Sequence, residues 1–255
     1  MGKIIRGLTF NDQLEFAYLQ FDDIFEEAIT IHSPTKDVAK MLGQVLILGG
    51  YMTSEMKNSR DNMSVNVKLK EGVVFNYFGD GDFFIKARVD NNFAIQKSQI
   101  TVVKDLGLKD MYTGSCFFEG GILTAFRSYF SQSEQIFVDF KIEVDVENKR
   151  LRAVFYKALP DTTGEALDYV LENIEKDVEK QKELFAKEGR TLAENQMVFK
   201  CLCNRRQTEK ILISVGKKEC DEIIKERGEV EVVCHFCNKK YTFDLNAIDE
   251  IFGNL

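Results

Sequence analysis

Four of the six cysteines in this 255-residue chain fall in two tight pairs, Cys201-Leu202-Cys203 and Cys234-His235-Phe236-Cys237, with thirty residues between the pairs. Four thiolates are enough to close a tetrahedral zinc site with Zn–S of about 2.3 Å and no position left for substrate. The second pair, followed by Asn238-Lys239, has the form of a zinc knuckle, in which backbone amides soften the thiolate charge. Any fold of this segment must bring residues 201–203 and 234–237 together. His235, inside the second pair, is not read as a ligand. Cys116 in TGSCFF and Cys220 in KKECDEII read as small buried apolar residues. A structural zinc site does not need a C-x-C pair. A disulfide closed across one residue forms a small bent ring near the edge of allowed geometry, and strained disulfides are the labile, regulatory kind. Zinc also holds its sulfurs as thiolates, the form that oxidants attack. The cluster therefore has the chemistry of a metal site that oxidation can dismantle.

Charge and hydropathy narrow the remaining classes. A net charge of -7 argues against a general nucleic-acid binder, and residues 190–255 are balanced, with eleven basic and eleven acidic side chains. The longest apolar run, VLILGGYM at 45–52, is broken by Gly49 and Gly50 and falls short of the roughly 18 residues of a membrane span. The stretch MGKIIRGLTFNDQ lacks a signal-peptide core, so a cytoplasmic protein without a membrane partner is expected. There thiols stay reduced, which favours metal or redox chemistry over structural disulfides. No phosphate-binding loop or nucleophile elbow is present, and the reading is of a protein that is not an enzyme. Ser131, Ser133 and Glu134 of SYFSQSEQ, and His32 beside Ser33-Pro34, are expected to have structural roles.

An α+β class is expected: a large mixed sheet-and-helix domain at 1–164, a charged helical linker at 165–198, and a small four-cysteine zinc module at 199–255. Leu14, Tyr18, Phe21, Phe25 and Ala28 suggest one helix from Asn11 to about Ile29, with Ser33-Pro34 capping the next helix, which weakens at Gly49-Gly50. From Met63 the apolar period becomes two, in MSVNVKLK, FFIKARV, FAIQKSQITVV and VDFKIEVDV, as in half-buried strands. Between Glu172 and Glu188 ten of seventeen residues are charged, so that helix depends on what it docks against.

Longer stretches resemble a known family. FKCLCNRRQ, ILISVGKKECDEII, EVEVVCHFCNKKYTFD, IHSPTKDVAKMLGQVL and SYFSQSEQ are similar to segments of the thirty-three-kilodalton chaperonins, redox-regulated heat-shock chaperones. Asn204 stands where that family usually has Ser, and its Gly-rich segment is reduced here to GDGDFF. The resemblance implies one Zn2+ on Cys201, Cys203, Cys234 and Cys237 in an inactive reduced state. It also implies that oxidation forms the disulfides Cys201–Cys203 and Cys234–Cys237, releases zinc and unfolds module and linker. The activated protein, often a homodimer, would hold unfolding client proteins without ATP. The competing reading is a nucleic-acid-binding zinc module with a patch of Arg205, Arg206, Lys210, Lys217, Lys218, Lys239 and Lys240, which the balanced charge disfavours.

Overall fold

A computed structural model describes residues 1–91 and 93–253. The chain divides into two units, Met1–Lys200 and Cys201–Leu255. The first begins with strands β1 (Gly2–Thr9) and β2 (Leu14–Gln20) and helices α1 (Asp22–His32) and α2 (Lys36–Thr53). Strands β3 (Asn62–Lys68), β4 (Val74–Asp80), β5 (Phe84–Asp90), β6 (Gln99–Asp105) and β7 (Tyr112–Phe117) follow. Next come α3 (Ile122–Tyr129), a π-helical turn (Phe130–Glu134) and the hairpin of β8 (Val138–Asp145) and β9 (Arg150–Ala158). Helices α4 (Gly164–Asn173) and α5 (Val178–Glu188) lead into β10 (Arg190–Phe199). The second unit holds α6 (Arg205–Val215), α7 (Lys217–Arg227), the hairpin of β11 (Val230–Val233) and β12 (Lys240–Phe243), and α8 (Leu245–Gly253). The α+β class expected from sequence is the class observed. Among the described residues no helix is long and apolar enough to cross a membrane.

The ten strands of the first unit form one sheet in the order β7-β6-β3-β4-β5-β10-β1-β2-β9-β8. Its pairings are antiparallel except for β10 with β5, where Val198 faces Phe84 and Phe199 faces Ile85. Period-two alternation sends neighbouring residues of β1, β2 and β9 to opposite faces. Ile4, Ala17, Leu19, Ala153 and Phe155 join the main core with α1, α2 and α3. Ile5, Leu14, Phe16, Tyr18, Val154 and Tyr156 form a second core under α4 and α5. Helix α2 is buried along most of its length and runs through the glycine pair to Thr53. Gly49 is needed there because a Cβ would lie 2.7 Å from the Tyr77 ring.

Three expectations change. Residues 14–20 are strand rather than helix, because β2 is covered on both faces and its apolar residues no longer alternate with polar ones. Ser33 closes α1 in a left-handed conformation (φ 42°, ψ 48°), and Thr35 is the N-cap residue of α2. The segment 165–198 is two helices and a strand. The helical run breaks before Asp177, whose side chain accepts the amides of Glu179 and Lys180 and starts α5. Residues 190–199 enter the sheet because β10 pairs along β1 from Gly2–Met197 to Leu8–Arg190. His32 is structural, with Nε2 3.0 Å from the Ala87 carbonyl. Glu134 accepts hydrogen bonds from Lys104 and Tyr129, and Ser131 donates to the Ser128 carbonyl.

The α4–α5 pair is held by side-chain packing and a hydrogen bond from the Val178 amide to Glu143 Oε1 (3.1 Å), whereas β10 is held by a backbone ladder. Phe185 stacks on Phe16 with ring centroids 4.4 Å apart. Glu179 accepts hydrogen bonds of 2.7 Å from both Tyr18 Oη and Arg152, and Arg152 also reaches Asp22 at 3.1 Å. Gln181 is fully buried, and among the described residues its Oε1 has no protein partner, a cost of about 1–3 kcal/mol.

Phe185→Ala removes the stacked ring and is expected to cost about 3 kcal/mol. Hydrogen exchange should then accelerate across 164–188 and leave β3–β6 protected; uniform acceleration would show that the helices and the sheet open together. Glu179→Gln should give the same pattern with a smaller shift.

Candidate metal centre

Local structure delivers the two cysteine pairs from different elements. Cys234 leaves β11 into a tight turn in which its amide donates to the Lys239 carbonyl (2.9 Å) and the Asn238 amide donates to its own carbonyl (2.7 Å). Asn238 takes φ +55°, a left-handed conformation that Asn tolerates better than most residues. Cys201 and Cys203 lie between the end of β10 and α6. Asn204 starts α6 with a capping box: its Oδ1 accepts the Gln207 amide (3.0 Å) and Gln207 Oε1 accepts the Asn204 amide (3.2 Å). Asn and Ser are comparable N-caps, so the departure at 204 preserves the cap.

The four sulfurs predicted from sequence come together, all within 4.8 Å of one another. Two contacts cross between the pairs, Cys201 to Cys234 at 3.6 Å and Cys203 to Cys237 at 3.4 Å. Four sulfurs about 2.3 Å from a central ion stand about 3.8 Å apart in a tetrahedron. Donor type, number and spacing therefore fit one metal ion. His235 is exposed and is not a member of the cluster.

Electrostatics differ among the sulfurs. Burial opposes ionisation of Cys234, but hydrogen bonding from the Phe236 and Cys237 backbone outweighs it and brings the thiol down to about 7. Burial and the neighbouring sulfurs of Cys203, Cys234 and Cys201 push Cys237 up to about 12. Burial likewise raises Cys201. The reduced, metal-free cluster thus ionises unevenly, and a cation is what would hold all four sulfurs as thiolates together.

Around the cluster the core is small: Leu212, Cys220, Val230, Tyr241, Phe243 and Ile248 are its buried side chains. Cys220 sits in this core, while Cys116 lies buried in the main sheet, and burial pushes both thiols up. Sequence reading missed Tyr241, whose hydroxyl donates to the Cys203 carbonyl (3.0 Å) and lies 3.2 Å from Cys203 Sγ. An aromatic two residues into a strand carries no local sign of such a contact. The basic residues of the alternative reading are largely occupied. Arg205 stacks on Phe243 at 4.2 Å, and Lys217, Lys218 and Lys240 pair with acids.

Comparison with known proteins places this geometry. The chain is 27% identical to a 33 kDa chaperonin of Alkaliphilus oremlandii, covering 97% of this chain and 95% of that one. It is 29% identical to a 33 kDa chaperonin of Clostridium perfringens, over 98% and 90% of the two chains. The crystal structure of the 33 kDa chaperonin (heat shock protein 33 homolog) of Thermotoga maritima shares the fold, with a TM-score of 0.84 at 22% identity over 99% and 98% of the chains. The family model for Hsp33 protein matches residues 2–244, from β1 through both cysteine pairs to the end of β12. This chain belongs to the Hsp33 family.

Proposed function

We propose that this protein is an oxidation-activated holdase chaperone that binds unfolding client proteins without ATP. The observation that carries the reading is the cluster of four sulfurs within 4.8 Å, at the edge of a module with a small core. Cys201, Cys203, Cys234 and Cys237 are its ligands, and zinc is the metal that an all-cysteine tetrahedral site suits. When bound, zinc keeps the four sulfurs deprotonated and ties the 201–203 segment to the β11–β12 hairpin. A module of about 55 residues has a marginal core, to which such a staple adds stability.

Oxidation acts on the ligands themselves. One thiolate attacks a hydroperoxide oxygen, giving a sulfenic acid and hydroxide, and the neighbouring thiolate then displaces hydroxide to form the disulfide. Pairing Cys201 with Cys203 and Cys234 with Cys237 uses two peroxides and four electrons per chain, and it removes every donor from the site. The reaction falls on these four because they are partly exposed, unlike Cys116 and Cys220.

The linker supplies the response. Cys201 follows β10 after one residue and α5 ends one residue before it, so β10 alone separates the module from the helix pair along the chain. Of 165–198, the α4–α5 pair is the part that detaches, since no backbone ladder holds it and its Gln181 acceptor is uncompensated. Detachment exposes Ile5, Leu14, Phe16, Tyr18, Val154 and Tyr156, a continuous apolar face that would bind unfolding chains or a second oxidised copy. A cytoplasmic setting supplies the reducing resting state.

Reduced protein is expected to carry one zinc per chain. Peroxide with mild heat should release it with loss of four of the six thiols, leaving Cys116 and Cys220 free. Only the oxidised sample should suppress aggregation of a heat-labile client. Equal suppression by reduced and oxidised protein would overturn the reading.

Asn204→Ala should lower the stability of the second unit by about 1 kcal/mol, whereas Asn204→Ser should be close to neutral. Thermal scans of the zinc-loaded chains would show the difference.

A further inference from the structure

Tyr241 is 7% exposed and sits in β12 opposite Val232, with its ring in the small core of the second unit. Its single hydroxyl proton faces two acceptors of one residue, the Cys203 carbonyl at 3.0 Å and Cys203 Sγ at 3.2 Å. With Cys203 as a thiol both contacts are satisfied: the S–H donates to the phenol oxygen, and the phenol donates to the carbonyl. With Cys203 as a thiolate the sulfur has no proton to give. A thiolate, as zinc would hold it, can only accept, and the Tyr241 hydroxyl at 3.2 Å is placed to share its proton between that sulfur and the carbonyl.

We propose that Tyr241 is a positioning residue that hydrogen-bonds the Cys203 thiolate and thereby raises the oxidant level at which the switch fires. This rests on the redox reading of the cluster given above. Attack on a hydroperoxide draws charge out of the sulfur lone pair, as Cys203 S⁻ becomes sulfenic acid and hydroxide leaves. A hydrogen bond to that lone pair stabilises the starting thiolate and weakens as the charge departs, so it slows the attack. Cys203 is only half-buried, so reagent access does not by itself restrain it. Cys237, 3.4 Å from Cys203 across the cluster, serves as an internal reference in the same chain.

The test compares zinc-loaded wild-type and Tyr241→Phe chains. Site-resolved alkylation by iodoacetamide, followed by mass spectrometry, should be about tenfold faster at Cys203 in the variant and unchanged at Cys237. In cobalt-substituted protein the sulfur-to-metal charge-transfer band should shift, which loss of packing alone would not produce. Zinc release by peroxide should accelerate in parallel. Equal Cys203 alkylation in the two chains overturns the proposal. If wild-type zinc resists peroxide while Cys203 alkylation still accelerates in the variant, the hydrogen bond stands and the redox reading falls. Should Tyr241→Phe fail to bind metal, 3-fluorotyrosine at position 241, an isosteric and stronger donor, should slow Cys203 alkylation relative to wild type; an equal or faster rate overturns the proposal.

Discussion

Strands β1, β2 and β9 are apolar on both faces, and a sheet of that kind must be covered twice. The two covers are unlike. On one side α2 is buried along most of its length and closes on Tyr77 through Gly49. On the other side lie α4 and α5, a charged pair that gives few apolar side chains to the interface and in which Gln181 Oε1 has no protein partner among the described residues. The sheet therefore has one cover with an extensive apolar interface and one with a charged, less apolar interface. Client binding, as proposed, uses the face under the second.

The second unit depends on another kind of constraint. Six buried side chains are a thin core, and the four sulfurs stand where a single ion would link its two halves. On the proposed reading, hydrophobic burial and metal ligation divide the work between the units. The first is stabilised by area. The second would be stabilised by a site that chemistry can remove. The proposed sensor needs such a division, because a module with a full core would stay folded after its ligands were oxidised.

Much of this was legible in the residues. The strands from Met63 onward alternate because one face meets solvent, and β3, β5 and β8 lie where the alternation lies. β2 was not legible, since double burial removes the alternation and leaves Leu14, Tyr18 and Phe21 at a helix-like spacing. β10 reads in sequence as part of a helical linker, because its first residues, Arg190 to Gln196, are mostly exposed and polar and owe their extension to β1. The cysteine cluster could be named residue by residue, since ligand chemistry is written in residue type and spacing.

The sequence by itself determined which four cysteines gather, the presence of a small cysteine module after a large sheet domain, and the charge density of residues 172–188, all of which depend on composition and short-range spacing. Tertiary structure decided the contacts between the two pairs, 201 with 234 at 3.6 Å and 203 with 237 at 3.4 Å, because these depend on how the β11–β12 hairpin meets the start of α6. It also decided that the linker ends inside the sheet, and that Tyr241, thirty-eight residues from Cys203, brings its hydroxyl to that sulfur. Contacts of this kind are set by strand register and by the packing of a shared core, and neither is encoded in any one stretch of the chain.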